Sequence, residues 1–281
     1  MAYGTPATAH DVEAYYTHVR RGRPPTPELL ADLRRRYEAI GGTSPLLHRT
    51  RAQAAGLGAA LGPRFRVELG MKHASPFIEE GVARLAEAGV GRVIGLVLAP
   101  HYSRLSVGEY AARAHEAAAA HGLDLDMVES WHLEPAYIDL LADFVMEASE
   151  VPQVEVVFTA HSLPARILDE GDPYPDQLRE TAAAVVDRAG VKRWSVAWQS
   201  AGRTPDPWIG PDILDVLRAR AAEGVGAVVV CPAGFVSDHL EVLYDLDVEA
   251  RAVARDVGLA FARTRMPNDD PRFCGAIAEV V

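Results

Sequence analysis

Short apolar runs alternate regularly with segments of helical pattern along most of this chain. The clearest run is Gly226–Cys231, which Pro232 and Gly234 end at once. Strands separated by helices pair in parallel, with helices on both faces of the sheet. The pattern therefore predicts an α/β fold with two parallel sheets. The other predicted strands are Arg66–Leu69, Arg92–Leu98, Leu125–Glu129, Val154–Phe158, Trp194–Trp198 and Leu259–Arg263.

The 281 residues are enough for two domains, which we place at 1–104 and 105–281. The segment Met1–Pro6 has the pattern of a strand exit, yet only two residues precede Tyr3. Either a strand precedes Met1 or the first sheet is one strand short. Helices are predicted between the strands, among them 107–121, 135–148 and 211–222.

Charge and composition exclude several classes of function. A net charge of −11 argues against nucleic acid as the main partner. The chain has no apolar run of 18 residues and no basic-then-apolar start, so we expect a soluble cytoplasmic protein without stable membrane insertion. The two cysteines are too few for a disulfide framework or a four-thiolate cluster.

Polar side chains follow four of the predicted strands. They are His101 with Tyr102, His161 with Ser162, Gln199 with Ser200, and the segment Asp238–Glu241. Parallel strands deliver their carboxyl ends to one edge, so within a domain these groups converge. His161 and Glu241 then supply the imidazole and carboxylate of a mixed nitrogen–oxygen metal site. A purely structural role is the alternative for each histidine, above all for His101 and His239.

Three carboxylates follow the Gly226–Cys231 strand at helical spacing. A helix with Ser237 or Asp238 as N-cap would place Glu241, Asp245 and Glu249 on one face, at i, i+4 and i+8. Like charges at this spacing repel each other. The row indicates a path for cations; the alternative is an ordinary solvated acidic face.

Two common kinds of site are absent from the sequence. No glycine pattern of the dinucleotide or P-loop type follows any strand, which disfavours nucleotide binding. No Gly-x-Ser-x-Gly elbow is present, which disfavours a serine hydrolase.

Several segments together resemble the ferrochelatase family, and the resemblance covers nearly the whole chain. The amino-terminal part of the chain is most similar to Gram-positive-type members, which insert iron into coproporphyrin III. Such members carry roughly ten further residues ahead of the Tyr3 motif. The segments that carry the resemblance are Met1–Pro6 (MAYGTP), Tyr16–Gly22 (YTHVRRG), Thr159–Pro164 (TAHSLP), Gly171–Leu178 (GDPYPDQL), Trp198–Ser200 (WQS), Thr204–Trp208 (TPDPW) and Gly234–Asp245 (GFVSDHLEVLYD).

The resemblance implies two Rossmann-like domains of the class II chelatase kind, with a porphyrin cleft between them. It implies a lyase that inserts Fe²⁺ into coproporphyrin III in haem biosynthesis, with both as substrates, no prosthetic group and no iron–sulfur cluster; we expect a monomer. His161 and Glu241 match the catalytic and iron-binding pair, and Asp245 and Glu249 continue the metal path. The positions that match porphyrin contacts are Tyr3, Arg20, Arg36, Tyr37, Ser44 and Tyr110.

Coproporphyrin carries four propionates, so a protein of net charge −11 needs a local cationic patch, for which Arg20, Arg21 and Arg23 are the candidates. Three alternatives remain open at this point. The same chemistry could act on protoporphyrin IX, another metal could enter a related tetrapyrrole, or the chain could be a non-catalytic carrier of haem or metal.

Overall fold

The computed structural model describes residues 1–149 and 154–281. Six strands form two parallel sheets: β1 (Arg92–Leu96) pairs with β2 (Asp124–Val128), and four strands lie in the order β4-β3-β5-β6. The α/β fold with parallel sheets is thereby confirmed. The second sheet comprises β3 (Glu155–His161), β4 (Trp194–Gln199), β5 (Ala227–Cys231) and β6 (Ala260–Arg263).

Twelve α-helices are present in the described residues, together with a 3₁₀ turn at Ala9–Asp11 and a π-helix at Leu243–Ala250. They are α1 (Val12–Val19), α2 (Pro27–Ala39), α3 (Leu46–Leu61), α4 (Ile78–Glu87), α5 (Val107–Ala120), α6 (Pro135–Ala148), α7 (Arg166–Asp169), α8 (Tyr174–Ala189), α9 (Ile213–Ala222), α10 (Leu240–Val242), α11 (Arg251–Asp256) and α12 (Pro271–Glu279). None of these helices has both the length and the apolar character needed to cross a bilayer.

Helices cover both faces of the four-stranded sheet, as the alternation predicts. Side chains of successive β3 residues point to opposite faces: Phe158 packs in a core with α6, α8 and α12, whereas Val157 packs in a second core with α9 and the π-helix. Every residue of β5 is buried, which explains its uninterrupted apolar sequence.

The predicted strand at Arg66–Leu69 is wrong. This segment has no regular strand pairing; instead the backbone just after it pairs in parallel with the amino-terminal residues. Ala2 donates its N–H to Gly70 and accepts from Lys72, while Met1 bonds to Leu96 and Leu98 on the other side. Met1 and Ala2 therefore lie between two backbone segments and continue the edge of the first sheet.

The first sheet extends beyond the predicted domain boundary at residues 104 and 105. Because β2 pairs with β1, the change from one sheet to the other lies between Val128 and Glu155. A division of the chain into two domains stays a prediction.

Burial in the core around β3 gives a matched test of stability. Leu178 in α8 is fully buried, and Leu168 in α7 is 52% exposed. Leu178→Ala should lower the free energy of unfolding by about 2–5 kcal/mol because it leaves a cavity, and Leu168→Ala by less than about 0.5 kcal/mol. Urea unfolding of both variants measures the difference. Equal losses would contradict this assignment of the core.

Candidate functional site

A cavity of about 540 Å³ opens where strand exits of both sheets face each other. Its wall takes Val97–Ala99 from the exit of β1, His161 from the end of β3, and Gly234–Ser237 with His239–Glu241 from the segment after β5. Aromatic rings with hydroxyl groups are frequent in it, which suits a flat aromatic ligand with polar edges. The tyrosines that line it are Tyr3, Tyr15, Tyr16, Tyr37, Tyr110 and Tyr174.

His161 is held at the last position of β3. His161 pairs in register with Gln199 of β4, and its backbone carbonyl accepts a hydrogen bond of 3.0 Å from the hydroxyl of Tyr174. The imidazole Nδ1 bonds to the carbonyl of Ser162, which assigns the proton to Nδ1 and leaves Nε2 facing the cavity residue Glu241. The sequence placed the end of this strand at Phe158, three residues too early.

Glu241 reaches the same place through the turn after β5. Gly234 crosses directly over β3, where an added Cβ would lie 2.4 Å from the Cβ of Ala160, so only glycine allows this close approach. The helix then begins at Leu240 with His239 as its N-cap residue, and the prediction of Ser237 or Asp238 as N-cap is wrong. Asp238 is instead bonded to Asn268 and Arg263.

The structure brings His161 and Glu241 together as predicted. Nε2 of His161 lies 3.5 Å from Oε1 of Glu241, and His239 Nε2 lies 3.6 Å from the other oxygen. Burial would lower the pKa of His161, but the charge and hydrogen bond of Glu241 outweigh it and raise this pKa to about 9. Burial likewise would raise the pKa of Glu241, whereas the two facing imidazoles lower it well below its usual range. These shifts favour an imidazolium and a carboxylate at neutral pH.

Asp245 and Glu249 follow Glu241 along the chain as predicted, but both lie on a π-helix and not on the expected α-helix. Asp245 is 6% exposed, accepts a hydrogen bond from Ser200, and lies 3.6 Å from Arg36. Burial, then the charge of Glu241, raises the pKa of Asp245 to about 7. Ser200 has a φ of 60°, a left-handed conformation that is uncommon for a residue with a Cβ. Such uncommon conformations cluster at functional sites. Because Asp245 is buried and bonded on two sides, it is not an ordinary solvated carboxylate.

The residues expected to contact a porphyrin fall into two groups. Tyr3, Tyr37, Ser44 and Tyr110 line the cavity, whereas Arg20 and Arg36 lie outside its wall. Arg20 bonds to the carbonyl of Arg23 and stacks on Tyr16.

Arg36 is held by two carboxylates, Asp32 at 3.2 Å and Asp245 at 3.6 Å, and it stacks on Tyr244. Contact of either arginine with a ligand stays a prediction.

His101 has the structural role that was the alternative for it. It is 1% exposed, and its Nε2 bonds to Thr181 at 2.9 Å. Burial, then the charge of His132, lowers the pKa of His101 to about 3, so the ring is neutral.

Sequence reasoning missed three charged residues of the cavity wall, Lys72, Glu109 and Arg166, whereas Arg21, which it proposed for the cationic patch, does line the wall. Lys72 and Glu109 are joined by an ion pair. Lys72 follows the segment that pairs with Ala2, and Glu109 lies in the first turn of α5. No periodic pattern connects them, so only the fold shows that they meet.

Within residues 1–149 and 154–281 no three histidine, cysteine, aspartate or glutamate side chains form a ready metal cage. The pair His161–Glu241 offers one nitrogen and one oxygen and leaves the other coordination positions of a cation to water or ligand. A site of this kind holds a divalent metal without enclosing it, which suits transfer better than storage.

Comparison with known proteins gives consistent results. The family model described as Ferrochelatase matches residues 1–281. A coproporphyrin III ferrochelatase of Anoxybacillus flavithermus is 48% identical over 294 residues, which cover 100% of this chain and 93% of that protein. One of Oceanobacillus iheyensis is 47% identical over 293 residues, covering 100% of this chain and 94% of the other.

A solved structure extends the likeness of fold. A sirohydrochlorin chelatase of Bacillus subtilis subspecies spizizenii, solved with cobalt, superposes with a TM-score of 0.59 at 12% identity, over 83% of this chain and 88% of that one. At this identity the likeness concerns the fold alone, which is that of the class II chelatases.

The charge pair makes a prediction about pH. The folded-state pKa of His161, about 9, lies above its ordinary value of 6.5, so its contribution to stability is complete below pH 6.5 and is lost as the pH rises through 9. Relative to Glu241→Gln, the wild-type free energy of unfolding should therefore fall across this range, because the amide removes the charge that holds the proton. Urea unfolding of both proteins at several pH values measures this. If the free energy of unfolding changed with pH in the same way for both proteins, the prediction would be wrong.

Proposed function

This chain belongs to the ferrochelatase family, and we propose that it inserts Fe²⁺ into coproporphyrin III to give the iron porphyrin of haem biosynthesis. The observation that carries the proposal is the pair of His161 and Glu241, 3.5 Å apart, on the wall of a cavity lined by tyrosines. The names of its relatives, which are coproporphyrin III ferrochelatases, support the choice of porphyrin.

Insertion of iron requires that two pyrrole protons leave and that hydrated Fe²⁺ loses water. We assign the first task to His161, whose Nε2 faces the cavity, and the hard oxygen ligand to Glu241. Tyr3 lies on the wall supplied by the first sheet and is close enough for the charges of Glu241 and Glu109 to raise its pKa in addition to burial. Its neutral hydroxyl can face the ring from the side opposite His161.

The donor types also limit what this site can do. Nitrogen and oxygen ligands bind Cu²⁺ and Zn²⁺ more tightly than Fe²⁺. The pair therefore cannot select iron by affinity, and selection must come from geometry and from supply. The remaining expectations stay predictions: a cytoplasmic monomer without a prosthetic group or an iron–sulfur cluster.

Turnover tests the proposed function directly. Purified protein, Fe²⁺ and coproporphyrin III are mixed without oxygen, and the absorbance of the iron porphyrin is followed. We expect many turnovers per protein, faster than with protoporphyrin IX. Binding of one equivalent without turnover would instead indicate a carrier, and faster metallation of protoporphyrin IX would change the assigned substrate.

Variants of the pair test the two assigned roles. His161→Ala and Glu241→Gln should each lower kcat by at least about 10²-fold while the thermal transition remains cooperative, because each removes a group that acts on the reacting atoms. His115→Ala, which alters an exposed histidine of α5, is the matched control and should keep the wild-type rate. Wild-type turnover by His161→Ala or Glu241→Gln would refute the corresponding role.

The acidic path makes a graded prediction. Asp245→Asn should raise the KM for Fe²⁺ about tenfold, equivalent to about 1.4 kcal/mol, with a smaller effect on kcat, because Asn keeps the contact with Ser200 but has no charge. Glu249→Gln, one turn farther from Glu241, should have a smaller effect in the same direction. Asp124→Asn removes an exposed charge elsewhere and serves as control. An unchanged metal dependence in both path variants would favour a merely structural acidic row.

A further inference from the structure

Lys72 is a buried cation in the wall of the cavity. It is 9% exposed, and its Nζ lies 5.2 Å from the ring centre of Tyr110. Its backbone is fixed on two sides, since its N–H bonds to Ala2 and its carbonyl accepts from Arg113. The backbone of Lys72 is therefore fixed, and its side chain, which is 11% exposed, is largely enclosed at the cavity wall.

One carboxylate, that of Glu109, binds Lys72 and Arg21 together. Oε2 of Glu109 contacts Nζ of Lys72, and Oε1 lies 3.3 Å from Arg21. All three residues line the cavity. Two positive charges and one negative charge leave a local excess of one positive charge, in a protein whose net charge is −11. The excess attracts an anionic group to this part of the wall.

The three partners differ in how easily they can move. The side chain of Lys72 is 11% exposed, that of Glu109 35% and that of Arg21 86%. Arg21 also has a φ of 56°, a conformation that is uncommon outside glycine and often functional. Glu109 can therefore rotate towards solvent while the more enclosed Lys72 stays in place, and the exposed side chain of Arg21 has room to follow a new carboxylate.

We propose that Lys72 and Arg21 form a subsite for a propionate of the porphyrin, which Glu109 occupies in the ligand-free protein and leaves when the porphyrin binds. This rests on the proposed function and names one further substrate-binding residue, Lys72, and one internal competitor of the substrate, Glu109. The carboxylate of Glu109 and a propionate are the same chemical group at the end of a flexible chain. Glu109 thus keeps a buried lysine paired, which avoids the high cost of an unpaired buried charge, and it competes with the substrate for the same two cations.

Glu109→Gln removes the internal competitor. Coproporphyrin III should bind this variant about 5- to 50-fold more tightly than wild type, as measured by quenching of porphyrin fluorescence without metal. Glu116→Gln is the matched control: it removes the same charge from the exposed side of α5, seven residues or about 10 Å along the helix, and should change the dissociation constant less than twofold. Equal or weaker binding by Glu109→Gln would overturn the proposal.

Two further arms separate a subsite from a general effect of charge. Coproporphyrin III tetramethyl ester has the same ring without carboxylates and should gain nothing from Glu109→Gln. An equal gain would overturn the proposal.

Adding Arg21→Gln to Glu109→Gln should remove at least half of the gain in free energy, and because Arg21 is exposed, folding is not at risk. No loss would exclude Arg21 from the subsite. These assays need no iron, so turnover of Fe²⁺ by the wild type tests the proposed function separately.

Discussion

Parallel pairing of β3 with both β4 and β5 is the constraint on which the site depends. The pairing places His161 beside Gln199 at one edge, and Gly234 lets the chain leaving β5 cross β3 closely enough to start a helix there. Gln199 then donates to the backbone carbonyl of Glu241 at 3.1 Å. One residue therefore fixes the position of both members of the pair, and neither depends on a long flexible loop.

Cations in and beside the cavity are paired with carboxylates of the same chain. Carboxylates of the chain itself hold the nearby cations: Glu109 holds Lys72, and Asp245 lies beside Arg36. Each pair limits the penalty for burying charge. The same pairing makes each cation available to an external carboxylate at low cost, because one ion pair is exchanged for another. A strongly acidic protein can in this way present positive charge to an acidic ligand.

The sequence predicted the parts of the structure that follow local rules. Every proposed strand with a continuous apolar run between turn residues is present, whereas Arg66–Leu69, a short segment in which charged and apolar residues alternate, is not a strand. The pair His161–Glu241 could be predicted because strand exits converge. The contact of Lys72 with Glu109 could not, since it depends on how the amino-terminal segment pairs with the backbone beside Lys72. Likewise, Arg21 lines the cavity and Arg20 does not. This difference depends on the left-handed backbone conformation of Arg21, which the periodicity of the sequence does not reveal.

The geometry also orders the events at the proposed metal site. At the proposed site a proton and a cation would compete for Nε2 of His161, and the charge of Glu241 favours the proton by raising the pKa of the imidazole to about 9. A cation that reaches Glu241 cancels this charge and thereby lowers the pKa of the imidazole. If His161 is the proton acceptor, as proposed, it would take up this role only after the metal has arrived. On the proposed acidic path, a cation would meet the carboxylate of Asp245, which Ser200 anchors, before it reaches the imidazole.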